Sequence, residues 1–129
     1  MVLSKGYEKY KTQEVNTANQ VTLVIMLYNG CIKQIKLAVM AIGKKKYEDA
    51  NNSLKKAQDI LMELMVSLDL KYDVAKNLMD IYMFVHGELV NMNVTKNTEK
   101  ADILIKILSD LRDAWTAIEK DYKPVEYVD

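Results

Sequence analysis

The sequence predicts an all-α fold, an antiparallel up-down four-helix bundle with a short N-terminal arm. Four long segments carry apolar residues at spacings of three and four, the period of a helix packed on one face. One proline and four glycines leave few breaks in the 129 residues, and connections of only a few residues favour antiparallel neighbours. We expect one domain over 1–129, with an arm at 1–16, helices at 17–43, 46–68, 73–93 and 98–122, and a tail at 123–129.

The first predicted helix is the most apolar segment of the chain. Its main seam consists of Ile25, Tyr28, Ile32, Ile35, Val39 and Ile42, and a broken second line beside it consists of Val24, Leu27, Cys31 and Ala38. Because Val21 to Tyr28 is apolar almost all round, we expect this helix either to be central in the domain or to be covered by a partner. Thr17 or Asn19 is expected to cap its start, and Gly43 to end it.

The dipeptide Asn29-Gly30 is ordinarily a turn signal, yet the apolar register continues across it from Tyr28 to Ile32. We therefore predict an unbroken helix. Since glycine inside a helix costs about 1 kcal/mol relative to alanine, Gly30 is interpreted as allowing another backbone to approach closely. A tolerated surface glycine is the alternative.

The other three helices repeat the three-four pattern, and Pro124 ends the last of them. The second seam is Tyr47, Ala50, Leu54, Ala57, Leu61, Leu64 and Leu68; the third is Val74, Leu78, Ile81, Val85, Leu89 and Met92, with Tyr82 beside it; the fourth is Ala101, Leu104, Leu108, Leu111, Trp115, Ile118 and Tyr122. Such seams are typical of left-handed bundles. Tyr28 and Trp115 fall on seams, so both side chains are expected to be buried.

Composition and charge narrow the possible functions. Lys plus Arg and Asp plus Glu both number 18, so the formal net charge is zero. The overall charge therefore lacks the positive excess that is typical of proteins that bind nucleic acid or an anionic membrane. The start of the chain lacks an apolar core of signal-peptide length, and no apolar run is expected to be long enough to span a bilayer. The single cysteine, Cys31, excludes an internal disulfide and fits a reducing compartment. The chain is therefore expected to be cytosolic.

No catalytic, metal-binding or cofactor-binding pattern is found, and we expect the protein not to be an enzyme. A di-metal site in a bundle needs two Glu-x-x-His motifs, whereas the one histidine is His86, with Met83 three residues before it. The alternative is a histidine phosphotransfer module that uses His86. Its surroundings argue against that role, because the lysine that usually follows is absent and Glu88 would repel a phosphoryl group. Cys31 is interpreted as a small buried hydrophobe.

Apolar surface beyond the seams points to binding. The first two helices carry additional apolar residues, namely Leu23, Met26, Leu37, Met40, Ile60 and Met65. Methionine-rich surface is adaptable and suits an amphipathic helical partner lying in a groove. The arm adds Tyr7 and Tyr10, whose rings would face the same way on a helical turn. The arm is either a docking element or a frayed terminus, and self-association is a further alternative use of the apolar surface.

Several motifs resemble, in order and spacing, the flagellin-specific export chaperone family over nearly the whole chain. They are Tyr7-x-x-Tyr10 followed by Val15-Asn16-Thr17-Ala18; Leu23-x-x-Met26-Leu27-Tyr28-Asn29-Gly30-Cys31; Ala57-x-x-Ile60-x-x-Glu63-Leu64-x-x-x-Leu68; Leu78-x-x-x-Tyr82 with Leu89 and Asn93; and Leu111-Arg112-Asp113-Ala114-Trp115. Each motif alone is weak, and together they are specific. The chain departs from the family at Gln20, where a proline is common.

The resemblance implies a chaperone of the bacterial cytosol that binds the disordered C-terminal segment of flagellin, prevents its premature polymerisation and keeps it competent for flagellar type III export. Export-gate components are further expected partners, whereas nucleic acid, membrane insertion and cofactors are not expected. The partner groove is expected mainly on the first two helices, with the arm lying over part of it when no client is bound. The partner-binding residues carried over by motif or apolar surplus are Tyr7, Tyr10, Val15, Thr17, Ala18, Leu23, Met26, Leu27, Gly30, Ile60 and Met65.

Overall fold

The computed structural model describes the backbone of residues 13–121 and the side chains of residues 20–121. This part of the chain forms four α-helices and contains no strand. The helices are α1 (Gln13–Gly43), α2 (Tyr47–Val66), α3 (Asp73–Thr95) and α4 (Ala101–Asp121). α1 packs along both α2 and α4, and α2 packs along α3. The predicted all-α four-helix fold is confirmed.

The core lies between the four helices, and α1 contributes more buried residues to it than any other helix. The buried cluster consists of Tyr28, Cys31, Ile32, Ile35 and Ala38 from α1; Leu54, Ala57, Leu61 and Leu64 from α2; Tyr82, Val85, Leu89 and Met92 from α3; and Ala101, Leu104 and Leu108 from α4. These residues recur at spacings of three and four within each helix, as expected for one buried face. Of the two alternatives for the first helix, the structure shows the central one.

The helix boundaries differ from the prediction by a few residues. α1 begins at Gln13 rather than at 17, so Thr17 and Asn19 lie within the helix and not at its start. α2 ends at Val66 and α4 begins at Ala101, whereas α3 continues to Thr95. Helix ends are the least specific part of a periodic pattern, because the pattern marks the buried face and not the last hydrogen bond.

α1 ends by a different route from the one predicted. Gly43 does not adopt a positive φ; Lys45 does, with a φ of 60°. The backbone N–H of Lys46 donates to the carbonyl of Ala41 at 2.8 Å, and the N–H of Lys45 donates to the carbonyl of Ile42 at 2.9 Å. These two bonds define a Schellman motif with a lysine at the left-handed position where glycine is usual.

By length and composition, part of α1 is long and apolar enough to cross a membrane. This segment is Gln20–Gly43, with a hydropathy of 1.4, so the expectation that no run would be long enough was wrong. The core helix of a soluble protein passes the same test, and Tyr28, Ile35 and Ala38 within this segment are fully buried in the bundle. The central position of α1 therefore accounts for its buried apolar residues, whereas Met26, Leu37 and Met40 stay exposed.

Candidate functional site: an open groove between α3 and α4

The ring of four helices is open between α3 and α4, which approach each other far less than the other neighbouring pairs do. α4 is held to α1 instead. The hydroxyl of Thr22 donates to Glu119 at 2.8 Å, and the guanidinium of Arg112 donates to the side-chain oxygen of Asn29 at 3.0 Å. In the described part of the chain, a salt bridge at 3.4 Å joins Glu88 of α3 to Lys100, the last residue of the loop before α4.

Apolar side chains line this gap, and we call it the α3–α4 groove. Glu88 forms the salt bridge with Lys100 and therefore lies on the side of α3 that faces the start of α4. Phe84 and Ile81 lie on the same side of α3, one and two turns earlier. From helical spacing we assign to the groove Leu78, Ile81 and Phe84 on α3 and Ile107, Leu111, Trp115 and Ile118 on α4, none of which is fully buried. Most of them rest partly buried against the core, whereas Phe84 and Ile118 are 49% and 42% exposed at the rim.

Burial decreases along α4 toward its C-terminal end. Leu104 and Leu108 are fully buried, Leu111 and Trp115 are partly buried, and Ile118 is exposed. Trp115 is therefore less buried than expected.

The same end of α3 also differs from the predicted seam. Val74 is 65% exposed, and the neighbouring Ala75 is buried in its place. The bundle is thus closed at one end of the groove and open at the other.

A buried polar pair lies between α1 and α3 beside the open half of the groove. The hydroxyl oxygens of Tyr28 and Tyr82 are 2.5 Å apart, and the two rings are tilted by 56° with centroids 6.3 Å apart. Burial raises the pKa of both tyrosines; at Tyr28, the hydrogen bond with Tyr82 acts in the opposite direction. The expected burial of Tyr28 is confirmed, but nothing in the apolar spacing indicated that its hydroxyl meets that of Tyr82.

The structure separates the predicted partner-binding residues into several groups. Leu27, Ile60 and Met65 are partly buried and pack against the core, Leu23 and Gly30 are partly buried, and Met26 is 60% exposed on α1. Val15, Thr17 and Ala18 lie on the first turns of α1, and their side chains are outside the described residues, as are Tyr7 and Tyr10 altogether. Among the described residues, the structure brings Gly30 next to Ile60, and the partner-binding role of the set stays a prediction.

Within the described part of the chain, no other backbone approaches Gly30 closely. A Cβ placed there would meet the Cδ1 methyl of Ile60 at 3.4 Å and no backbone atom of another described helix within 4 Å. An ordinary side-chain contact of this kind does not require glycine.

The groove itself was missed by the sequence reasoning, which placed the surplus of apolar surface on the first two helices. A signal was available in Phe84, Ile103 and Ile107, which are apolar and lie beside the seams of α3 and α4. Of these, Ile103 is 57% exposed, next to the closed end of the groove. The seams alone could not reveal the groove, because the apolar spacing within each helix does not indicate which two helices remain separated.

The two residues with the most reactive side chains lie away from the groove. His86 is partly buried on α3, two turns before Asn93, whose amide donates to Asn51 of α2 at 2.7 Å and so marks the side that faces α2. Cys31 is buried, with its thiol 3.6 Å from the carbonyl oxygen of Ala57, and burial raises the pKa of this thiol to about 12. The thiol is therefore protonated and unreactive at neutral pH.

Comparisons with known proteins point to one family. A family model described as flagellar protein FliS matches residues 3–122. The chain is 35% identical over 124 residues to the flagellar secretion chaperone FliS of Bacillus subtilis strain 168. The match covers 95% of this chain and 93% of that protein. It is 26% identical over 121 residues to the protein of the same name from Vibrio cholerae. This match covers 92% of this chain and 89% of that protein.

A solved structure agrees with the fold. The crystal structure of a flagellar chaperone from bacteria superposes with a TM-score of 0.78 at 22% sequence identity, and the match covers 92% of this chain and 98% of the other.

Proposed function

The chain belongs to the FliS family of flagellar secretion chaperones, and we propose that it binds the C-terminal segment of flagellin in the bacterial cytosol. Binding would keep that segment from polymerising prematurely and hold it competent for flagellar type III export, with export-gate components as later partners. The predicted family is confirmed. Chaperones are not a class of enzyme, and the proposal requires no chemistry from His86 or Cys31.

The α3–α4 groove is the observation that carries this proposal. It is apolar along its length and open to solvent, whereas the neighbouring pairs of helices are closely packed. An amphipathic helix docks into such a groove with apolar residues spaced three and four apart. The stretch of α4 from Ile107 to Ile118 is about 16 Å long at 1.5 Å per residue, so it matches roughly three turns of a client helix.

The predicted surface on α1 supports a second contact with the same client. Met26, Leu37 and Met40 are 60%, 41% and 56% exposed, although apolar side chains of this size gain free energy from burial. A disordered segment that becomes helical on binding must offset the cost of ordering, which favours a long client that contacts more than one surface. We therefore include Met26 and its neighbour Leu23 in the proposed client surface.

The proposal is tested by isothermal titration with a peptide that covers about the last forty residues of flagellin from the same source. Saturable one-to-one binding with a large negative heat-capacity change is expected, because apolar surface is buried and the peptide becomes ordered. Absence of binding by a well-folded protein would contradict the proposal.

Exposed residues allow the two surfaces to be separated without unfolding the bundle. Phe84→Ser and Ile118→Ser alter the groove, and Met26→Ser alters the α1 surface, whereas Val94→Ser is a matched control because Val94 is 77% exposed on α3 beyond the groove. Each groove variant is expected to weaken binding by about tenfold, which corresponds to the loss of roughly 1.4 kcal/mol of apolar contact. If only Met26→Ser weakens binding, the client lies on α1 and the assignment to the groove is wrong.

A further inference from the structure

The open half of the groove raises the question of what holds α3 at a fixed distance from α4. At the closed end the two helices share the buried core, where Leu89 of α3 and Leu104 of α4 are both fully buried. At the open end their side chains are only partly buried, and the salt bridge between Lys100 and Glu88 lies at the opposite end, near the connecting loop. Apolar contact alone is non-directional and would allow the two helices to slide or spread.

A buried hydrogen bond joins α3 to α1 at this point, and α4 packs along α1. The hydroxyl of Tyr82, on α3, lies 2.5 Å from the hydroxyl of Tyr28, on α1. The next residue of α1, Asn29, accepts a hydrogen bond at 3.0 Å from the guanidinium of Arg112 on α4. Tyr28 and Tyr82 are fully buried, so neither hydroxyl can turn to water when a partner is lost.

Such a buried hydrogen bond is directional and favours one arrangement of the two helices that carry it. If α3 moves outward from α1, both tyrosine hydroxyls lose their partner in an apolar environment, which is costly. Satisfied polar networks in a core therefore specify a single packing more strongly than apolar contacts do.

We propose that the hydrogen bond between Tyr82 and Tyr28 fixes α3 relative to α1 and, because α4 packs along α1, sets the spacing between α3 and α4 and so keeps the groove at the width that a client helix requires. The last clause rests on the proposed function, whereas the spacing itself does not. Tyr28 and Tyr82 are positioning residues in this proposal, because they hold the walls of the groove from beneath and are not exposed to the client.

The spacing can be measured without any client. Cysteines introduced at the exposed positions Asn77 of α3 and Ala117 of α4 would carry spin labels, and Cys31 would not react because it is buried. In Tyr82→Phe, the distance distribution between the labels is expected to broaden or shift to longer distances. Tyr47→Phe is the control, because Tyr47 is 48% exposed at the start of α2. An unchanged distribution in Tyr82→Phe would overturn the proposal.

Client binding supplies a readout that a merely structural role would not produce. Tyr82→Phe removes one hydroxyl and leaves Tyr28 short of a partner, so both stability and affinity for the flagellin peptide should fall, the affinity by about tenfold for a hydrogen bond of ordinary strength. The double variant Tyr28→Phe with Tyr82→Phe leaves no unpaired tyrosine hydroxyl, so part of the stability should return while the affinity stays low.

The outcomes separate the two proposals. If affinity recovers together with stability in the double variant, the tyrosines only stabilise the fold and the positioning role is refuted. If the parent protein does not bind the peptide at all, the proposed function fails. The distances between the labels still decide whether the hydrogen bond between Tyr28 and Tyr82 sets the spacing between α3 and α4.

Discussion

The Cδ1 methyl of Ile60 lies 3.4 Å from the position that a Cβ at Gly30 would occupy, which is ordinary van der Waals contact between α1 and α2. The two helices thus meet at Gly30 through a side chain that already leaves room for one methyl group. Glycine at this position lowers the stability of α1 without being required by the packing.

Gly30→Ala is expected to increase the free energy of unfolding by about 0.5–1 kcal/mol, because alanine removes the entropic cost of glycine in a helix. Gly87→Ala is the matched control, since a Cβ there meets nothing within 4 Å. Urea denaturation of both variants measures the difference. A gain at Gly87 together with a loss at Gly30 would show that Ile60 cannot yield.

Lys45→Gly is expected to stabilise the protein by up to about 1 kcal/mol, because the left-handed conformation at a φ of 60° costs a residue with a Cβ more than it costs glycine. Lys96 has a similar φ of 56°, but its ammonium group also donates to the side-chain oxygen of Asn93 at 2.9 Å. Lys96→Gly should therefore gain less than Lys45→Gly. Equal gains in thermal unfolding would mean that the hydrogen bonds of Lys96 contribute nothing.

Leu108→Ala and Leu111→Ala make the same change about one turn apart on α4, at a fully buried and a partly buried position. Leu108→Ala is expected to cost about 3 kcal/mol or more, because it leaves a cavity in the core. Leu111→Ala should cost about half as much, since its side chain faces the open groove and removes less surface from water. Equal losses in denaturant unfolding would contradict the description of the groove as open.

Stability is expected to fall as the pH rises above about 9. Burial raises the pKa of the Cys31 thiol from 9.0 to about 12, so over this range the unfolded chain releases a proton that the folded protein keeps. The contribution of Cys31 is complete below pH 9 and decreases as the pH rises through 12, with a slope of at most about 1.4 kcal/mol per pH unit.

The comparison is between the slopes of stability against pH, measured by denaturant unfolding from pH 8 to 10. Cys31→Ala should have a shallower slope than the parent protein, whatever its stability at pH 8. Identical slopes would show that the folded protein does not keep the thiol protonated.

Glu63→Met is expected to stabilise the fold by about 1 kcal/mol. Among the described side chains, Oε1 of Glu63 is a buried oxygen without a hydrogen-bond partner, and replacing such a group by an apolar one of similar size removes a desolvation cost. Glu99→Met, at an exposed position before α4, should change the stability by less than about 0.5 kcal/mol. A destabilised Glu63→Met would indicate that this carboxylate is satisfied in solution.

The sequence predicted the number of helices and most of the buried positions because these depend on local spacing. Leu54, Leu61 and Leu64 of α2 are all fully buried, as the three-four pattern requires. The prediction from the sequence was less accurate at the ends of helices and at exposed positions. Lys45 takes the left-handed position instead of Gly43, and Val74 is exposed instead of Ala75, since both depend on how the chain enters or leaves the bundle.

The motifs in the chain, such as Leu111 to Trp115, were sufficient to identify the family, which the matches to FliS confirm. They did not locate the groove. Leu111 and Trp115 were assigned to a buried seam, and the structure shows them in the wall of an open groove. A motif records which residues occur at which spacing, and it carries no distance between helices.

By itself, then, the sequence determined four helices and membership of a chaperone family, because periodicity and motif spacing are properties of single segments. Only the tertiary structure decided that α3 and α4 stay apart and that Tyr28 meets Tyr82 across the core. The physical reason is that the separation of two helices depends on the packing of all four together. No single segment contains that information.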